Sequence, residues 1–195
     1  MLRFRIPHRR TFSLLREVQG AALLEFAIVL PLLMVFVVGI FDFSGAFNQK
    51  QKIEQAAQEG AIIAGAQPMS DIASGNLDPD SLHPVVTAVF NSLADGGVLT
   101  KGTCVPPGTA LHVGSSSNLK WKYTISPCPD DLVVVIDRGW VATSTSTTAA
   151  VGTSVKVTYP YHWRFNSVIQ LLFPGSSSYA ATTQVTESAT VHNQM

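Results

Sequence analysis

Charge is scarce in this chain. Only 13% of its 195 residues are Asp, Glu, Lys or Arg, and the formal charges cancel. The cancellation hides a segregation. In residues 1–20, Arg3, Arg5, Arg9, Arg10 and Arg16 stand against Glu17, a net +4, and the remainder holds eight Lys/Arg against twelve Asp/Glu, a net −4. A nucleic-acid binder needs a basic face on its folded part, so no nucleic-acid partner is expected. Cysteine is limited to Cys104 and Cys128, without a Cys-x-x-Cys redox motif. The histidines, His8, His83, His112, His162 and His192, show no His-Glu-x-x-His spacing, so no metal site is expected. The serine runs at 115–117 and 176–178 lack a Gly-x-Ser-x-Gly elbow, and there is no phosphate loop or dinucleotide fingerprint. Neither an enzyme nor a cofactor is expected. No internal repeat of solenoid type occurs.

What the chain does have is one long apolar run. Residues 20–41 read GAALLEFAIVLPLLMVFVVGIF, and the 21 residues after Gly20 contain Glu25 as their only ionisable member. As a helix they would be about 32 Å long, against a hydrocarbon core of roughly 30 Å. Positive flanks stay on the cytoplasmic side, which makes residues 1–20 a cytoplasmic leader and places residues 67–195 outside. A cleaved secretory signal would use the small residues Ser44, Gly45 and Ala46, but its apolar core is about 7–15 residues long and free of acid. A plain anchor helix fits the length and charge bias alone. A carboxylate inside a span costs roughly 2.5–3.5 kcal/mol at mid-helix, less near an end. Glu25 therefore either snorkels to the headgroups or has a partner.

Gly20 followed by four small or apolar residues and then Glu25-Phe26 resembles the Gly-x4-Glu site of prepilin-like proteins. The continuation, with Leu30-Pro31-Leu32, Asp42-Phe43 and the run from Ala56 to Ala61, is similar to TadE/TadF-like minor pseudopilins of Tad pili. The likeness covers residues 16–66 and departs at Ile62, where relatives carry Arg. Major pilins of that system are shorter and read Glu-Tyr here, which argues against the filament subunit. The resemblance implies processing between Gly20 and Ala21 by a prepilin peptidase. It also implies a single-pass protein of the bacterial inner membrane that serves assembly of a Tad-type (type IVb) adhesion pilus with other pilin-like subunits. Cleavage would leave an ammonium on Ala21, one turn from Glu25. Burying opposite charges together is far less costly than burying either alone.

Residues 42–66 should continue the helix, with Phe43, Ala46/Phe47, Lys50, Ile53, Ala57, Ala61 and Ala64 at helical spacing. Ala56, Gly60 and Ala64, beside Ala57, Ala61 and Gly65, form a stripe that lets another element approach closely. Two partners fit that stripe, the chain's own outer domain or other pilin helices. A linker over 69–79, a helix over 80–94, and strands around 121–125, 132–136, 155–159 and 179–191 follow, with a short helix over 165–173 and a loop at 143–148. Cys104 and Cys128, both outside, should form a disulfide. The expected fold is α+β: a long transmembrane and amphipathic helix over 21–66, packed pilin-like on a three- or four-stranded antiparallel sheet in 67–195. A second functional reading is an anchored extracytoplasmic binding domain whose Tyr159, Tyr161, Trp163 and Phe165 capture a ligand. The bland assignment for that aromatic series is core.

Overall fold

The computed structural model describes residues 13–72, 76–100, 102, 104–114, 118–142, 150–164 and 182–193. Its first element, α1 (Ser13–Ala66), is a single helix of 54 residues that runs through Pro31, so it is ~80 Å long. A 3₁₀ turn at Asp80–Leu82 leads into α2 (His83–Asp95). Pro84 lies in the first turn of α2, where its missing N–H removes no helical bond. Five strands follow: β1 (Thr109–His112), β2 (Lys120–Cys128), β3 (Asp130–Ala142), β4 (Ala150–His162) and β5 (Thr182–His192). They pair in sequence order, every neighbour antiparallel. The fold is the expected α+β arrangement, with a five-stranded sheet in place of three or four strands. The extra strand is β1, four residues long, whose alternation is too short to read from sequence. The helix expected over 165–173 and the loop over 143–148 lie outside the described residues.

One face of the sheet is dry. Trp121, Tyr123 and Ile125 of β2, Leu132, Val134 and Ile136 of β3, and Val155, Val157 and Tyr159 of β4 alternate inward and are buried. Lys122, Thr124, Val133, Val135, Lys156 and Thr158 alternate outward and are half-buried or exposed. The period of two is what a one-sided antiparallel sheet requires. The dry face forms one core with Val85, Val86, Val89, Phe90 and Leu93 of α2 and Ile53, Ala56, Ala57, Ala61 and Ala64 of α1.

The small residues of α1 set how closely it lies on the sheet. A Cβ built on Gly60 would sit 2.5 Å from Val89 Cγ2 and 3.3 Å from Val155 Cγ1. A larger residue would collide with Val89 and crowd Val155, so one of the packed surfaces would have to shift. The helix face is therefore centred on Ile53, Ala57 and Gly60. Phe43 and Phe47, expected on it, are 69% and 60% exposed. The spacing fits both faces, and the choice was made by what packs against them.

The chain's irregular joints are pinned by specific bonds. Cys104 and Cys128 form a disulfide that ties the segment before β1 to the end of β2, and both are buried. Constraining a loop of this length stabilises by about 3 kcal/mol in the chain-entropy account. Arg138 of β3 is 1% exposed and donates from Nη2 to the carbonyl of Gln67, 2.8 Å away, one residue past the end of α1. No basic residue lies in the last turn of α1 itself, so β3 supplies the cation that the helix's carbonyl end favours. Burial lowers the Arg138 pKa, and the Asp71 carboxylate opposes that shift.

Candidate functional site

Apart from the two cysteines, the sequence-derived site residues fall into two groups on one helix. Gly20, Ala21, Glu25 and Phe26 lie in the first, where every residue from 20 to 34 is exposed. Around Gly20, which lies within the continuous helix α1, nothing outside the helix's own backbone comes within 4 Å of where a Cβ would be. Ala21 and Glu25 are four residues apart, hence stacked on one side of the helix. The helix from Gly20 to Ala66 is long and apolar enough to cross a membrane, and its apolar window makes no contact that buries it. Leu23, Ile28, Ile40 and Phe41 are among the side chains left uncovered.

The second group, Ala57, Gly60, Ala61 and Ala64, begins ~48 Å further along at 1.5 Å per residue. All four are buried. What covers them is the chain itself, through α2, β4 and β5. Of the two partners open to the small-residue stripe, the chain's own α2 and sheet occupy it. Ile62 is 65% exposed and points away from this contact. Cys104 and Cys128 lie in the sheet domain and belong to neither group.

Between the groups is a junction that sequence reasoning missed. Asp42, the first residue after the apolar run, is 4% exposed. The Tyr161 hydroxyl, from the end of β4, donates to both the carbonyl oxygen and Oδ1 of Asp42, each at 3.0 Å. Burial, then the hydrogen bond and charge of Asp42, raise the Tyr161 pKa and keep the hydroxyl a donor. Gly45 makes the approach possible, since a Cβ there would lie 2.7 Å from the Tyr161 oxygen. One turn on, Gln49 Nε2 donates to the Pro160 carbonyl at 3.0 Å. The only signal in the sequence is an acid directly after a long apolar run.

Aromatic rings close this junction. Trp163 sits edge-to-face with Phe43 at 5.4 Å and with Tyr161 at 5.1 Å, and its indole N–H donates to Thr183 Oγ1. Edge-to-face pairs of this kind are worth about 0.5–1.5 kcal/mol beyond the area they bury. His162 meets Asp130 at 2.6 Å on the rim. A cleft of ≈ 780 Å³ opens beside them, lined in part by Gln49, Lys52, Asp130 and Arg164. The aromatic series 159–165 thus divides. Tyr159 is core and donates to the Cys128 carbonyl, Tyr161 and Trp163 pack on α1, and Phe165 lies outside the described residues. Among the described residues, no three or more His, Cys, Asp or Glu are placed to hold a metal ion.

Residues 20–61 match the family model of TadE-like proteins. The match runs from the exposed Gly20 through the junction at Asp42 to the buried Ala61, and leaves α2 and the sheet outside it. No curated protein and no solved structure matches the chain.

Proposed function

We infer that this protein is a non-enzymatic minor pseudopilin, held in the bacterial inner membrane by residues 21–41, that serves the assembly of a Tad-type pilus. The observation that carries this reading is the TadE-like match over residues 20–61, laid along a helix whose first half its own domain leaves bare. A bare apolar helix needs an apolar solvent, and a bilayer or the spans of other subunits supply one. The leader stays cytoplasmic, and the domain of residues 67–195 is displayed on the other side.

In this account a prepilin peptidase cuts between Gly20 and Ala21, where no other element covers the helix and glycine, a poor helix former, eases the local unwinding that cleavage requires. The new ammonium on Ala21 lies one turn from Glu25. The pair neutralises itself, or Glu25 receives the new terminus of a neighbouring subunit, and either arrangement lets the carboxylate stay in an apolar setting. Since the domain already occupies the small-residue stripe, subunits would meet through the bare half of the helix.

Replacing Glu25 tests the pairing. Glu25→Ala and Glu25→Gln should leave membrane fractionation unchanged and lower the number of assembled pili by about tenfold or more, the effect of losing roughly 1.4 kcal/mol or more of interaction. Normal piliation in both variants would remove the charge pair from the mechanism.

A further inference from the structure

The geometry points to a membrane-interface seat at the tip of β4, where Phe43, Tyr161, Trp163 and Arg164 occupy the phospholipid headgroup layer. The inference rests on residues 21–41 spanning a bilayer, as proposed above. Phe41 closes the apolar run and so marks the hydrocarbon boundary. Residues 42–45 lie within ~6 Å beyond it at the rise of a helix. The headgroup layer on each side of a bilayer is about 5–8 Å thick. Tyr161 touches Asp42 and Gly45, so the tip of β4 is carried at that depth by α1 itself.

The side chains at this level suit the layer. Trp and Tyr collect at membrane–water interfaces because each joins an apolar ring to a polar handle. Here Trp163 is half-buried, Phe43 beside it is 69% exposed, and Arg164 is exposed. An arginine at this depth can keep its guanidinium among phosphates while its stem lies on apolar surface. The occupant is therefore the phospholipid surface in which the chain's own span sits.

Seating fixes the domain's pose. From Tyr161 beside Gly45, β4 runs to Val155 beside Gly60, so the strand descends from the membrane surface alongside α1. Six residues of strand span ~20 Å and fifteen of helix ~22 Å, which agree. The domain would stand upright, held by the Asp42–Tyr161 bonds and the lipid contact together.

Depth-dependent quenching in nanodiscs tests the seat on the full chain. Trp121 is fully buried, so Trp163 emission is the difference between Trp140→Phe and the double variant Trp140→Phe/Trp163→Phe. Lipids carrying a doxyl label high on the acyl chain should quench Trp163 about threefold more than lipids labelled deep, given the depth argued above. A reporter at Leu33→Trp, in the double-variant background, should show the reverse order and verifies the span. If Leu33→Trp is quenched by the deep label while Trp163 is quenched by neither lipid and freely by acrylamide, the seat is wrong and the span stands. If neither tryptophan responds to labelled lipid, both are wrong. Shielding of Trp163 from lipid and acrylamide alike, growing with the number of chains per disc, would replace the seat by contact between copies.

Discussion

The two halves of α1 are built from different residues for different surroundings. From 20 to 41 the helix is apolar on all sides, carries Leu, Ile, Phe and Val, and is left uncovered by the fold. From 42 to 66 its outer side mixes Asn, Gln, Lys and Glu with exposed Phe43, Phe47 and Ile62, and the face it buries is largely Ala and Gly. Large side chains would suit the lipid neighbour proposed for the first half, since fluid lipid fills any shape offered. Small side chains suit a half whose neighbour is a fixed wall of Val85, Val89 and Val155, where each added carbon collides. Amphipathicity alone would not separate these cases, because both halves are rich in apolar atoms. The size of the apolar residues does.

If the halves are independent, changes in one should leave the other untouched. The largest effect should come from the disulfide. Cys104→Ser/Cys128→Ser, or reductant, should lower the unfolding free energy of the sheet domain by about 3 kcal/mol without changing partition into membranes. Loss of membrane association on reduction would tie the halves together. Gly60→Leu should cost about 1–3 kcal/mol in chemical unfolding, as overpacking does, whereas Gly39→Leu, where nothing lies within 4 Å of the Cβ position, should cost the domain nothing. Equal effects at the two glycines would erase the distinction. The smallest effect belongs to the junction. Tyr161→Phe removes the hydroxyl shared by the Asp42 carbonyl and carboxylate, and should cost about 1–2 kcal/mol with α1 still helical by circular dichroism. An unchanged midpoint would mean that the ring contacts with Phe43 and Trp163, not the hydrogen bonds, hold the domain to the helix.

Much of this could be read from sequence because it is local. The apolar run, the helical spacing of Val85, Val89 and Leu93, and the alternation in 121–125 and 155–159 depend on neighbours a few residues away. The two cysteines are the chain's only pair, and the disulfide expected of them is formed. What escaped depends on distance along the chain. Tyr161 and Asp42 are 119 positions apart, and Arg138 and Gln67 are 71 apart. Arg138 falls on the inward register of β3 after Val134 and Ile136, yet alternation alone does not reveal that an inward arginine ends on the Gln67 carbonyl just past a helix end. The exposure of Phe43 and Phe47 was hidden because a helix with two apolar stripes does not say which one a sheet will take. Gly20 and Glu25 are the reverse case: a motif plain in sequence, on which the isolated fold places no contact.

The central claim is that the bare half of α1 begins life as a prepilin-type signal. The most direct test is the N-terminus of the protein recovered from host membranes, by intact mass. The account predicts a chain that starts at Ala21 and that reverts to the uncut form when the prepilin peptidase is disabled. A chain still carrying residues 1–20 in a host with active peptidase would contradict it and leave an anchored extracytoplasmic domain. A start at Phe47 would remove the span altogether.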